Sequence, residues 1–195
     1  MKGVIMKYFK RLKVYKGSNV YFNPATCEGL SYDWWQVVKK IKGKVVFNWY
    51  HYSQSTRWHQ YALEALLKQL GIKVHLTINL REGLQAFERQ ALPTLYANLF
   101  GNEITLNNPR VKQSNKDYAA KRIIEIKKDI QTARKLGAKM SQAAIKALKS
   151  QLISAEKSRL EGLRAVSKVV SEETKLKKTL LKDSIGNIPN LESLI

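Results

Sequence analysis

The clearest hydrophobic pattern in the chain lies between Lys44 and Leu80. Val45, Phe47, Trp49 and His51 alternate with Val46, Asn48, Tyr50 and Tyr52. Both sets are largely apolar, so Lys44–Tyr52 is expected to be a strand covered on both faces. Ser53–Thr56 is a polar turn. Arg57–Leu70 is amphipathic, with Trp58, Ala62, Leu66 and Leu70 on one side and Leu63 and Leu67 beside them, which predicts a helix. Gly71 ends it. Ile72–Leu80 reads as a second strand, with Val74, Leu76, Ile78 and Leu80 on one face and His75, Thr77 and Asn79 on the other. Strand, helix and strand joined by short links predict a right-handed parallel βαβ unit over residues 44–80.

The flanking pattern is more broken. Val4–Tyr15 is mixed apolar and basic, Val20–Asn23 is β-prone, and the turn signal Lys16-Gly17-Ser18-Asn19 lies between them, which predicts a hairpin or two short strands. Pro24–Gly29 reads as a loop. Ser31-Tyr32-Asp33 looks like a helix entry, with Ser31 as N-cap. Trp34, Val37, Val38 and Ile41 follow at helical spacing, and Gly43 would stop that helix. Glu82–Gln90 reads as a further helix that Pro93 breaks or restarts. Leu95–Phe100 would be a second piece and Ile104–Leu106 a short strand. These elements place the chain in the α/β class, with α+β as the alternative, around a small mixed or parallel sheet.

Beyond Asn107-Asn108-Pro109 the pattern changes. Residues 116–183 are rich in Lys, Ala, Glu, Ile, Leu and Ser and contain no proline. Ile123, Ile126, Ile130 and Ala133 mark one helical stripe. Ile145, Leu148, Leu152, Leu160 and Leu163 mark another, with a register slip between Leu152 and Leu160. Gly137 separates the two helices. The expected organisation is an α/β domain over 1–107, a long basic helical hairpin or arm over 108–185, and a loose tail over 186–195.

Charge sharpens this picture. The chain of 195 residues has 35 basic and 15 acidic side chains, for a net charge of +20. Residues 1–107 contribute +9 and residues 108–195 contribute +11, so both parts are basic. Such a field favours a polyanionic partner, DNA or RNA first, with another anionic partner such as lipid, or a lysine-rich surface that serves only solubility, as the alternatives. A single cysteine, Cys27, excludes an internal disulfide and fits a reducing compartment. The longest uncharged run, Gln90–Asn102, has 13 residues and contains Pro93. It falls short of the ~20 needed to span a bilayer, and the N-terminus lacks a signal-peptide pattern. A cytoplasmic protein without a transmembrane segment is expected. The lysine- and asparagine-rich composition has the style of a small bacterial or phage protein.

Candidate chemistry falls in four places. The first is the turn into the helix of the βαβ unit. Ser53, Ser55 and Thr56 supply hydroxyls, and Arg57 supplies a guanidinium suited to phosphate. Free backbone amides point out of a helix N-terminus, and open α/β sheets bind ligands beyond the carboxyl ends of their strands. Ser53, Ser55, Thr56, Arg57 and His59 are therefore the candidate phosphate or anion site, although serine and threonine cap helices everywhere. Ser53 and His59 also form a conceivable nucleophile and base, which would make the chain an enzyme on a phosphorylated or nucleic-acid substrate. No G-x-S-x-G turn supports that pairing, and no catalytic residue is assigned.

The second place is the histidine trio, His51, His59 and His75. His51 falls near the end of one strand and His75 near the start of the next, and in parallel strands those ends are opposite. No metal and no cofactor are expected, since neither H-E-x-x-H nor Cys/His spacing occurs. The acidic residues Glu28, Asp33, Glu64, Glu82, Glu88 and Glu103 are scattered, without the paired carboxylates of a metal-dependent nuclease. Third, Tyr8, Phe9, Lys10, Arg11, Lys13, Tyr15 and Lys16 interleave aromatic and basic residues, as proteins that bind single strands do.

The fourth place is the basic helical region. Lys121, Arg122, Lys127, Lys128, Arg134, Lys135, Lys139, Lys146 and Lys149 crowd into 29 residues and are the candidate nucleic-acid contacts. Gln131–Leu148 resembles a helix-turn-helix DNA-binding motif over about 18 residues. Ala133, Leu136 and Gly137 match its first helix and turn, and Ser141 a cap on its second helix. Ala143 stands where that pattern has an apolar residue, and Ile145 comes two positions later. The resemblance implies two closely packed helices and a DNA partner. A different reading of residues 116–183 is an arm that pairs with another helix, as a homo-oligomer or on a protein partner.

Overall fold

The computed structural model describes residues 15–16 and 19–186, with side chains over 19–179. The interleaved segment Tyr8–Lys13 and the tail after Gly186 lie outside the described residues. Contacts divide the chain into two units, Met1–Lys149 and Ser150–Ile195.

The first unit is built on a mixed sheet. Strands β1 (Tyr15–Lys16), β2 (Val20–Asn23), β3 (Glu28–Ser31), β4 (Trp35–Ile41) and β5 (Lys44–Asn48) form an antiparallel meander. Helix α1 (Gln54–Gln69) then crosses to β6 (Val74–Ile78), which pairs parallel to β5 at the sheet edge. The βαβ unit expected over 44–80 is thus present, although its first strand stops at Asn48 rather than Tyr52. Gly71 ends α1 in the left-handed region, φ 66°. Ile72 N–H donates to Leu67 C=O and Gly71 N–H to Lys68 C=O, the paired closure that a glycine stop permits.

Residues 31–41 are not a helix. Ser31 ends β3, Tyr32–Trp34 turn the chain, and Trp35–Ile41 is β4. Tyr32 and Asp33 both adopt positive φ, 56° and 61°. Lys42-Gly43 is the two-residue turn between β4 and β5, φ 47° and 79°, not a helix stop. Positive φ at both central residues matches the twist of a two-residue hairpin. The short apolar run fitted both periods. Burial on both strand faces decides it, because Trp35, Gln36, Val37 and Val38 are all buried, and β-branched and aromatic side chains suit a pleated surface.

One sheet face packs under α1, where Phe22, Val38, Val45 and Phe47 join Leu63, Leu66 and Leu67. The alternate residues Val46, Leu76 and Ile78 are also buried. A 3₁₀ turn, Leu84–Ala86, contacts β4 and β5 and leads into α2 (Phe87–Asn107). Pro93 does not break α2, and residues 104–106 are helix rather than strand. Proline costs a helix interior about 3 kcal/mol. Buried Leu92, Leu95, Leu99 and Phe100 offset that cost along the same helix.

Helix α3 (Gln113–Lys135) packs on α2 and also touches β6, burying Ala119, Ile123, Ile126, Ile130 and Ala133. The helical stripe read from the sequence is therefore a core stripe, and 113–135 belongs with the sheet rather than with a separate arm that starts at 108. Gly137, φ 107°, ends α3, with Ala138 N–H donating to Ala133 C=O and Gly137 N–H to Arg134 C=O.

Helix α4 (Gln142–Gly186) begins after a six-residue link, 136–141. Ser141 Oγ accepts from Ala144 N–H, 3.1 Å, the expected cap. Ala143, Ala144 and Ala147 are exposed, so the close helix pair implied by a helix-turn-helix is not formed. In the second unit every side chain from 161 to 179 is exposed, including Leu163, Val166, Val170 and Leu176.

Candidate nucleic-acid interface

The loop that carries the parallel pair into α1 is fixed by two buried amides. Asn48, fully buried, donates from Nδ2 to Leu80 C=O and accepts at Oδ1 from Leu80 N–H, each 2.8 Å. Gln60 Nε2 donates to the Asn48 and Tyr50 carbonyls, both 2.9 Å. Trp49 N–H donates to Ile78 C=O at 2.7 Å, extending the pairing past β5. Buried amide networks of this kind define one conformation because an unmade bond there costs about 1–3 kcal/mol.

The five residues expected to form an anion site are close in sequence but face different ways. Ser53 caps α1: its Oγ accepts from Thr56 N–H at 3.2 Å and shares a bond with Thr56 Oγ at 2.8 Å. Thr56 is buried. Ser55 Oγ lies 3.4 Å from Ser53 Oγ. These hydroxyls satisfy the helix end. Arg57 and His59 sit two positions apart, about 200° around the helix. His59 meets β3, where its Nδ1 shares a 2.7 Å hydrogen bond with buried Ser31 Oγ and its ring packs on Tyr32. Burial holds the half-buried His59 below the ordinary histidine pKa. The Ser53–His59 pair is not made, since each is bonded elsewhere. Arg57 meets β5, its guanidinium 4.7 Å from the Trp49 ring centroid. One of its terminal nitrogens is buried with no acceptor.

The other histidines are separate. His75 Nδ1 accepts the Val45 N–H at 3.2 Å, where the β5–β6 register skips a residue. His51 is exposed just beyond β5. Among the described residues no three His, Cys, Asp or Glu side chains come together as metal ligands.

The Arg57 flank of α1 is open and aromatic. Tyr61 meets Trp49 edge-on at 5.3 Å, and Trp58 meets Tyr61 at 6.3 Å. Trp58 is 63% exposed and Tyr61 51%. Trp49 also lines a groove of about 500 Å³, together with Phe47, Leu67, Ile72, Val74, Thr77, Glu64, Lys68 and Lys73. A second aromatic pair, Trp34 and Tyr52, projects at the β3–β4 turn, where both are more than half exposed. Trp58 does not join the apolar side of its helix that the spacing predicts, because Leu63, Leu66 and Leu67 already supply the core stripe. The signal for an open flank is the density of aromatic residues around Arg57 in Trp49–Tyr61.

The nine basic residues of 121–149 divide into two groups. Arg122 is ion-paired with Glu125. Arg134 donates to Tyr96 Oη at 2.7 Å and lies over that ring. Lys149 pairs with Glu103 at 3.4 Å and lies over the Phe100 ring. Lys121, Lys127, Lys128, Lys135, Lys139 and Lys146 are exposed, and none has an acidic partner among the described residues. Lys121, Lys128 and Lys135 recur every seven residues on the side of α3 opposite its buried stripe. At helical rise they stand about 10 Å apart in a row.

The chain matches no protein-family model, no curated protein and no solved structure. Among the described residues no helix is long and apolar enough to cross a membrane.

Proposed function

We propose that this chain binds nucleic acid mainly through the phosphate backbone, with little sequence preference. The row Lys121, Lys128 and Lys135 carries the reading. It is an exposed line of cations on a helix whose opposite side is fixed in the core, so its spacing is rigid. The net charge of +20 adds long-range attraction. Phosphate contacts of this kind release counterions, and binding then falls steeply with salt. The test is a fluorescence anisotropy titration of labelled DNA and RNA across a salt series. Replacing the three lysines by Gln is expected to weaken binding to every sequence and to flatten the log–log salt slope by about 2–3. Absence of binding at low salt by duplex, single-stranded DNA and RNA sinks the reading.

A second reading comes from a different observation. Leu163, Val166, Val170 and Leu176 lie exposed on one long helix, and apolar surface of that extent marks a contact with another helix. In this reading residues 150–179 associate with a second copy or a protein partner. Sedimentation velocity on the full chain should show a species larger than a monomer, and Leu163→Lys with Val170→Lys should dissociate it. A monomer at all concentrations removes self-association.

A further inference from the structure

The open flank of α1 has features that phosphate binding alone does not use. Trp58 and Tyr61 hold large apolar rings in water, 63% and 51% exposed. The rings meet edge to face, with interplanar angles of 81° for Trp49–Tyr61 and 62° for Trp58–Tyr61. In each pair the rim of one ring meets a face of the other, and Trp58 and Tyr61 still turn more than half of their surface to solvent. Beside them lies the groove of about 500 Å³, within the usual ~300–1,000 Å³ of small-ligand sites. Strand β6, which forms part of it, is the last strand of the sheet, with no strand beyond it among the described residues.

The polar groups around this surface select the occupant. Arg57, Lys68 and Lys73 stand against Glu64 alone, and Glu64 is already paired with Lys68 at 3.2 Å. The surface is thus cationic as well as aromatic. Arg57 lies over the Trp49 ring, 4.7 Å from its centroid, where a guanidinium is suited to a phosphate. Exposed aromatic rings, an arginine and flanking lysines are what an unpaired base and its phosphate require. A duplex keeps its base faces stacked inside and cannot offer them.

We propose that the Trp49–Tyr61–Trp58 flank of α1 and the adjoining groove seat unpaired bases, so that single-stranded nucleic acid is the preferred form. Bases stack on Tyr61 and Trp58, and the phosphates between them run past Arg57 and Lys73. This rests on the nucleic-acid reading above and specifies its substrate.

The experiment compares three labelled polyanions of equal length on the full chain: an oligothymidylate, its abasic deoxyribose-phosphate counterpart, and a duplex. The oligothymidylate should bind tightest and quench tryptophan fluorescence. Trp58→Ala with Tyr61→Ala should lower its affinity by roughly 5- to 100-fold, as loss of a base stack does, and leave abasic and duplex binding unchanged. Both side chains are mostly exposed, so the double variant keeps its circular dichroism spectrum and its binding to the duplex. Equal affinity for oligothymidylate and abasic strand, with no effect of the double variant, overturns the base seat and leaves phosphate binding standing. Failure of all three to bind at low salt overturns both. Loss of self-association in the double variant, with oligothymidylate affinity intact, assigns the flank to a second copy and also overturns the base seat.

Discussion

The two flanks of helix α1 come from the same sixteen residues and are finished differently. On the β3 flank the packing is tight. His59 is bonded to Ser31, and Gly29 lets Leu63 and Val38 approach so closely that a Cβ there would stand 3.3 and 3.0 Å from them. On the β5 flank an arginine donor lacks an acceptor, and two large rings face water. Equal hydrophobicity in the sequence thus conceals a closed side that holds the fold and an open side with surface left over.

The largest effect that tests this contrast is on the closed side. Gly29→Ala should cost about 1–3 kcal/mol by overpacking against Val38, read as a lower urea midpoint. No loss would show that the closed flank has slack. A smaller effect is pH-dependent. His59 has its folded pKa below the ordinary 6.5, so the unfolded chain binds the proton more readily. The stability contributed by neutral His59 is complete above that ordinary value and is lost as pH falls through the folded value. Denaturation midpoints measured between about pH 5 and 8 should decline on the acid side, and His59→Gln should remove that part of the decline. An unchanged profile in the variant would place the sensitivity elsewhere. The smallest effect is on the open side, where the Trp58→Ala and Tyr61→Ala chain should stay within about 0.5 kcal/mol per site of the parent. A large loss there would make the rings part of the core and erase the difference between the flanks.

The sequence was most legible where local signals agreed. Around 44–80 the alternation, the amphipathic run and the stop at Gly71 all indicated one unit, and the structure has it. Gly137 likewise ends a helix as its position implied. The pattern misled where a segment is covered on both faces. Trp34, Val37, Val38 and Ile41 fit a helical stripe by spacing, yet β4 buries four consecutive residues, and a strand enclosed on both sides shows no period to read. Pro93 sits inside a continuous helix because the contact between α2 and α3, which leaves no local signal in the sequence, outweighs local propensity. The site was half legible. Arg57 could be singled out from its place at a helix start, but not the ring it covers. The lysines of 121–149 read alike as charges. Only the contacts separate Arg122, Arg134 and Lys149, which are tied to neighbours, from the six without an acidic partner among the described residues.

Strand β6 has a consequence for the order of folding. The meander closes its hairpins locally, with only Lys42 and Gly43 between β4 and β5. β6 must find β5 across residues 49–73. Contacts near in sequence form sooner than those that close long loops. The meander is therefore expected to form first and the parallel pair to lock afterwards, with Trp49, Arg57 and Tyr61 settling at that later step. Weakening the Asn48–Leu80 bonds should accordingly speed unfolding more than it slows folding, so the aromatic flank would be the last part of the sheet to assemble and the first to open.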